Sequence, residues 1–165
     1  MKFILVAIVV IGMGYIGFGL SKYYRKRKRF FEDLILLCEK LCVDISFSKE
    51  NLSSIISSNL SYFSKDFVEV LNAYLNYLNN NGQTISSEAF FKKSTLIKEE
   101  EKEVITVFFK SLGRLDATSQ VSEIQNFKTK FSDFKMLAEE ENKKFGSLSL
   151  KLMILLGLLV VIILI

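Results

Sequence analysis

Two stretches without a charged residue lie at the ends of this chain, at residues 3–20 and 152–165. An α-helix rises 1.5 Å per residue, so the 18 residues of the first stretch reach about 27 Å, close to the hydrocarbon thickness of a bilayer. This stretch predicts a membrane-spanning helix at 3–20. The second stretch extends back to Ser147 and includes Lys151 in its first turns, where a lysine can reach the headgroups. It predicts a second span at 147–165.

Each apolar segment has a competing interpretation. Residues 3–20 could be a cleaved signal peptide, because small residues lie near the end of the segment. However, six positive charges follow at once, and such charges resist translocation. Residues 152–165 could be a buried core helix, but they are apolar on every face, whereas a surface helix has a polar side. We therefore expect an uncleaved anchor at one end and a membrane helix at the other.

A basic cluster at 22–29 follows the first apolar segment directly. Its members are Lys22, Arg25, Lys26, Arg27, Lys28 and Arg29. Basic residues beside a span tend to stay on the cytosolic side. Lys143 and Lys144 precede the second span and Lys151 lies in its first turns, all on the side of the middle segment. The pattern predicts a cytosolic segment at 30–146, with both chain ends across the membrane. For the cluster, contact with anionic lipid explains the position beside a span better than binding to nucleic acid does.

The composition of the middle segment limits its chemistry. Residues 30–146 carry 14 Lys and Arg against 18 Asp and Glu, so this segment is acidic although the whole chain has a net charge of +4. The chain has no His, which excludes Ser-His-Asp and Cys-His catalysis within it. It also has no Pro, and this absence favours long uninterrupted helices.

Two groups of residues could carry chemistry but have simpler interpretations. Cys38 and Cys42 share a helical face, yet no third Cys or His completes a metal site, so we expect small buried hydrophobic residues. The carboxylates of Glu99-Glu100-Glu101 and Glu139-Glu140-Glu141 splay around a helix, and we expect solvated faces. We therefore predict no catalytic residue, metal, cofactor or small-molecule substrate, and we expect a protein that is not an enzyme.

Apolar residues recur at helical spacing through the middle segment. The stripe of the first helix contains Phe30, Leu34, Leu37, Leu41 and Ile45, and that of another contains Phe67, Val70, Leu71, Tyr74, Leu75 and Leu78. A short helix is possible at 51–58, and Ser86 or Ser87 can cap another that carries Phe90 and Phe91. Thr95 is expected to start a further helix, with its buried side running from Val104 to Leu112. The fold class predicted is all-α, an antiparallel helical bundle between two membrane helices.

The last part of the middle segment predicts a turn and a long helix. Gly113-Arg114-Leu115-Asp116 has the composition of a turn between antiparallel helices. After it, apolar residues repeat at three and four, and no breaker occurs before Gly146. One helix can therefore run from about Thr118 to the C-terminus.

Two groups of motifs occur along this chain. Near the front they are Phe30-Phe31-x-x-Leu34, then Asp44-Ile45-Ser46-Phe47 and Leu52. Near the back they are Leu112-Gly113-x-x-Asp116 with Gln120, then Glu140, Asn142-Lys143-Lys144, Gly146 and the apolar run to Ile165. In their order and spacing these motifs resemble those of the stage III sporulation protein AB family of endospore-forming bacteria. The chain departs from that family's pattern at Asn51, where a Pro is usual, and in the shortened basic segment before Gly146. The resemblance covers essentially the whole chain.

The resemblance implies a role without catalysis. Family members lie in the mother-cell membrane around the forespore, within a channel-like complex. Their cytosolic domain is similar to helical domains of the inner-membrane platform protein of type II secretion and type IV pilus systems. By that analogy the partners are a cytosolic secretion-type ATPase and other membrane subunits. The candidate docking turn is Leu112, Gly113, Arg114 and Asp116. The alternative is a membrane-anchored helical adaptor or regulator of another cytosolic partner.

Overall fold

The computed structural model of the chain describes residues 2–47, 51–79, 90–91 and 96–164. Within these ranges the chain is helical and contains no strand, which confirms the all-α prediction. The chain divides into two compact units. The terminal unit combines Met1–Lys28 with Met136–Ile165, and the central unit is Arg29–Lys135.

Six α-helices are longer than one turn in the described ranges. They are α1 (Lys2–Phe47), α2 (Leu52–Asn59), α3 (Lys65–Asn79), α4 (Glu99–Ser111), α5 (Ala117–Glu141) and α6 (Ser147–Leu164). A 3-10 turn at Leu60–Tyr62 follows α2, and a π-helical turn at Asn142–Gly146 joins α5 to α6. The prediction of one long helix from about Thr118 onward is thus confirmed, with a π-helical turn inside it.

Aromatic rings form much of the core of the central unit. Phe30 of α1 packs edge-on against Phe67 of α3, with ring centroids 5.1 Å apart. On the other side of the core, Phe108 of α4 meets Phe131 of α5 at 5.2 Å and 88°. Edge-to-face pairs of this kind add to the stabilisation that burial provides. The apolar stripes predicted from the sequence therefore do face one another across these helices.

The start of α2 depends on a side-chain cap. Asn51 has an extended backbone, and its Oδ1 accepts a hydrogen bond from the Ser54 N–H at 2.8 Å. The cap satisfies one of the four N–H groups that a helix start leaves without an internal partner. Ile55 and Ile56 of this short helix are buried. The short helix predicted at 51–58 is confirmed.

The helix predicted to start at Thr95 starts later, at Glu99. Lys98 has an extended backbone, and its N–H donates to Glu101 Oε2 at 2.9 Å. This bond fixes the first turn at Glu99, because the third residue of a helix can reach back to the residue before it. Thr95 itself and the proposed caps Ser86 and Ser87 lie outside the described residues.

Charged and aromatic contacts join the two segments of the terminal unit. Arg27 is buried, and its Nε lies 3.2 Å from Glu141 Oε2. Tyr24 stacks on Phe145 with ring centroids 5.8 Å apart. Gly146 is buried beside Tyr24, and a Cβ built on this glycine would lie 2.6 Å from Asn142 Oδ1. The π-helical turn is therefore a place of close packing.

Large apolar side chains of the terminal unit are exposed along both of its helices. Those above 50% exposure include Ile11, Tyr15, Ile16, Phe18, Leu155 and Leu158. Among the residues that the structure describes, no helix has the combined length and apolarity needed to cross a membrane.

Candidate docking site

The predicted turn between α4 and α5 is present in the central unit. Gly113 has φ of +78°, a left-handed conformation that residues with a Cβ rarely adopt. The Arg114 N–H then donates to the Ser111 carbonyl at 3.3 Å. Leu112 is buried, whereas Arg114, Leu115 and Asp116 are exposed. The turn thus projects an apolar and two charged side chains into solvent.

Asp116 begins α5 by capping it. Its Oδ2 accepts a hydrogen bond from the Ser119 N–H at 3.1 Å. Hydrogen bonds from the Ser119 side chain and backbone lower the pKa of Asp116 below its usual value. The carboxylate also interacts favourably with the positive end of the helix dipole. Of the four predicted docking residues, Leu112 and Gly113 shape the turn, while Arg114 and Asp116 are its exposed charges.

A buried amide side chain supports the turn from below. Gln120 is 2% exposed, and its Oε1 accepts a hydrogen bond from the Gly113 N–H at 2.8 Å. One turn of α5 is thereby fixed to the residue with positive φ. Gln120 was not among the residues predicted for docking. The only signal for it in the sequence was its place in the Leu112-Gly113-x-x-Asp116 motif, because helical periodicity cannot show which polar residue turns inward.

Two clefts flank the turn. The first, which we call the Gln120 cleft, has a volume of about 230 Å³ and is lined by Ile45, Leu52, Ile55, Gly113, Leu115, Ala117 and Gln120. The second has about 270 Å³ and is lined by Val107, Lys110, Ser111, Arg114, Leu115 and Glu123. Leu115 belongs to both linings. Its exposed side chain therefore contributes to both clefts, and the second cleft also has the charged side chains of Lys110, Arg114 and Glu123 in its lining.

The basic cluster is divided between the two units. Lys22, Arg25, Lys26, Arg27 and Lys28 belong to the terminal unit, and Arg29 belongs to the central unit. Arg27 is buried against Glu141, and Lys28 Nζ lies 3.8 Å from Glu139 Oε1. Arg29 Nε lies 3.4 Å from Oδ1 of the buried Asp33. Lys22 and Arg25 are exposed, and contact of these two side chains with anionic lipid stays a prediction.

The acidic runs are less uniformly solvated than the sequence suggested. Glu99 and Glu100 are exposed, but Glu101 is 4% exposed and accepts the Lys98 N–H bond described above. In the second run, Glu139 and Glu141 make the ion pairs with Lys28 and Arg27. The expectation of a solvated face is therefore wrong at Glu101, whereas Glu139 and Glu141 are partly solvated beside their ion-pair partners. It failed because capping and pairing depend on partners that helical spacing does not show.

The two cysteines have different surroundings. Both are free thiols, Cys38 buried and Cys42 half-buried. Burial raises the pKa of the Cys38 thiol far above its usual value, and burial raises that of Cys42 as well. Neither thiol therefore has the lowered pKa that marks a reactive cysteine. Among the described residues, no group of three or more His, Cys, Asp or Glu is placed to hold a metal ion.

Comparison with known proteins adds a family to this geometry. The family model described as stage III sporulation protein AB matches residues 2–165, which is nearly the entire chain. No curated protein and no solved structure matches the chain. The match includes the turn at Gly113, the buried Gln120 and both apolar ends of the sequence. The chain belongs to the stage III sporulation protein AB family.

Proposed function

We propose that this protein is a non-enzymatic membrane platform of a sporulation channel or secretion-like complex. The central unit, an antiparallel helical bundle, docks a cytosolic secretion-type ATPase at the mother-cell membrane around the forespore. The two apolar ends anchor the chain beside other membrane subunits. The observation that carries the proposal is the family match over residues 2–165, together with an exposed turn held by buried contacts.

The sequence and the terminal unit support anchoring. Residues 3–20 and 152–165 carry no charge. Tyr15 is 80% exposed and Leu155 is 62% exposed, and large exposed apolar side chains recur along this unit, as contact with a membrane or a partner would require. Lys22 and Arg25 are exposed next to the first apolar stretch, where cytosolic anionic lipid would attract them.

The turn of the central unit supports docking. Arg114 and Leu115 project outward, yet the backbone that carries them is fixed by Gly113, Asp116 and Gln120. A surface that is ordered before binding loses little conformational entropy when a partner arrives. A turn with both a charge and an apolar side chain can add specificity as well as buried area.

A binding experiment tests the docking role. The full-length chain in detergent is immobilised and exposed to the secretion-type ATPase of the same cell at low salt. We expect retention of the ATPase by the wild-type chain and severalfold less by Arg114→Glu. Lys130→Glu makes the same charge reversal at another exposed position of the central unit and should bind normally. Failure of the wild-type chain to retain the ATPase at low salt would refute docking.

A second experiment tests anchoring and topology. We expect the full-length chain to stay with the membrane fraction after alkaline extraction, which removes peripheral proteins. Reporter fusions at both termini should be active on the side opposite to a reporter inserted in the central unit. Release by alkaline extraction, or reporters that all lie on one side, would contradict the proposed anchoring.

A further inference from the structure

Gln120 holds a hydrogen-bond donor that nothing in the described part of the chain satisfies. The side chain is 2% exposed, and its Nε2 has no hydrogen-bond partner there. Most buried polar side-chain atoms in native proteins do have a partner. The unpaired donor is therefore an unusual feature, and Gln120 is one of the residues that line the Gln120 cleft.

The orientation of this amide is fixed by its neighbour. The Gly113 N–H donates to Gln120 Oε1 at 2.8 Å. If the amide were rotated by half a turn, Nε2 would face that N–H, and two donors would oppose each other. The oxygen must therefore face the turn, and the NH₂ group is the part of the amide left for a ligand.

The other side chains that line the Gln120 cleft are apolar. Ile45, Leu52 and Ile55 line it from α1 and α2, while Leu115 and Ala117 line it from the turn and the start of α5. Leu115 and Ala117 are exposed, so a ligand can reach the cleft from solvent. A ligand that suits this lining brings an aliphatic group for the apolar wall and an oxygen acceptor for Nε2. A peptide segment has both within a single residue, since each side chain adjoins a carbonyl.

We infer that the Gln120 cleft is a binding site for a peptide segment of a partner protein. An aliphatic side chain of that segment enters between α2 and the turn, and its backbone carbonyl accepts a hydrogen bond from Gln120 Nε2. This inference deepens the docking role and rests on that proposed function for the identity of the partner. The ordered site itself can be tested without the ATPase.

A small peptide mimic tests the site directly. The ¹⁵N-labelled full-length chain in detergent micelles is titrated with N-acetyl-leucine methylamide, which has one aliphatic side chain and two carbonyl groups. We expect the side-chain NH₂ signals of Gln120 to shift. N-acetyl-glycine methylamide has the same carbonyls without the side chain and should cause much smaller shifts. Equal shifts by the two compounds, or no shift by either, would overturn the inference.

Variants test the role of the donor. Gln120→Glu keeps an oxygen for the Gly113 N–H but places a second oxygen where Nε2 was. We expect at least about tenfold weaker binding of the leucine compound, because a hydrogen bond is replaced by two opposed acceptors. The two side-chain NH₂ signals that are present in wild type and absent from this variant are thereby assigned to Gln120. Gln125→Glu makes the same change at an exposed position of α5 and should bind like wild type.

A second variant guards against a fold defect in the first. Ala117→Leu adds volume in the cleft from an exposed position and removes no buried contact. It should weaken binding while leaving the helical circular dichroism unchanged. Ser122→Leu, at another exposed position of α5, is the matched control and should have no effect. Unchanged binding in Ala117→Leu would place the leucine compound elsewhere and overturn the inference.

The two proposals can fail separately. If the leucine compound binds but the ATPase does not associate with the chain, the ATPase docking fails and the cleft remains a site for another partner. If the ATPase binds wild type and Gln120→Glu equally and the leucine compound causes no shift, the cleft is not the site and ATPase docking stands.

Discussion

Arg27 Nε lies 3.2 Å from Glu141 Oε2 in the terminal unit, and the Arg27 side chain is 2% exposed while that of Glu141 is 26% exposed. Removing one partner of a buried pair leaves the other charge without compensation, which costs about 3–5 kcal/mol when both are buried. Because Glu141 is partly solvated, we expect Glu141→Gln to lower the free energy of unfolding by about 2 kcal/mol.

The measurement is denaturant unfolding of the full-length chain in detergent, followed by circular dichroism. Glu140→Gln is the matched control, because Glu140 is 65% exposed and its Oε2 lies 3.6 Å from Lys144 Nζ on the same helical run. It should change the free energy of unfolding by less than about 0.5 kcal/mol. If both variants lowered the free energy of unfolding equally, the buried ion pair of Arg27 and Glu141 would contribute no more to stability than an exposed pair.

Gly113 has a backbone conformation that restricts substitution. Its φ of +78° is unfavourable for residues with a Cβ, although an added Cβ would meet only Leu52 Cδ2, at an ordinary 3.8 Å. We expect Gly113→Ala to destabilise the chain by about 1–2 kcal/mol through the backbone alone. Gly113→Asn should be milder, since Asn tolerates this conformation better. Thermal unfolding of the two variants checks the order, and an equal loss would point to the side chain rather than φ.

Glu101 gives a prediction about the start of α4. Its Oε2 accepts the Lys98 N–H bond at 2.9 Å, so Glu101→Ala leaves that donor unpaired. We expect a loss of about 1 kcal/mol in the free energy of unfolding. Glu101→Gln keeps an acceptor and should lose less. Glu100→Ala, at the exposed neighbouring position, is the control, and a comparable loss there would contradict the capping role.

Asp116 predicts a dependence of stability on acid. Its pKa in the folded chain is lower than the ordinary value of 3.8, so the charged form is favoured by folding. This stabilisation is present above the ordinary pKa and is lost as the pH falls through the lower, folded value. Asp116→Asn keeps a capping oxygen without the charge. The stability advantage of wild type over this variant, measured by thermal unfolding, should be constant near neutrality and shrink in acid. An advantage independent of pH would contradict the prediction.

The cysteines predict an order of chemical modification. Cys38 is buried and Cys42 is half-buried, and burial raises the pKa of both thiols. Since the thiolate is the reactive form, both should react slowly with N-ethylmaleimide in the folded chain, Cys42 before Cys38. Mass spectrometry of the full-length chain over time measures the order. In denaturant the two rates should converge, and faster reaction of Cys38 in the folded chain would contradict its burial.

The sequence predicted the helices well because their buried faces are periodic. Phe67, Val70, Leu71 and Tyr74 recur at helical spacing, and all four are buried in α3. Asn51 shows why local chemistry also helps. Its side chain caps α2, and asparagine is among the residues favoured at that position, so the helix start could be predicted from the sequence.

Contacts between distant parts of the chain could not be predicted from the sequence. The pairs of Arg27 with Glu141 and of Lys28 with Glu139 join residues more than a hundred positions apart, and many acidic residues were equally suitable partners. The start of α4 was misplaced for a different reason. A lysine side chain has no hydrogen-bond acceptor that could cap a helix, so Lys98 does not look like a helix start in the sequence. The start of α4 is marked by the hydrogen bond from the Lys98 N–H to Glu101.

The π-helical turn at Asn142–Gly146 has a consequence for how the chain can vary in length. A π-helical turn holds one residue more than the α-helical turn it replaces. Deleting one position within α6 would rotate the residues after it by about 100° around the axis, whereas deleting one position in the π-helical turn would leave an ordinary α-helical turn and nearly preserve the orientation of α6. The five-residue turn is thus a place where the chain can lose one residue without changing which side of α6 faces the rest of the terminal unit.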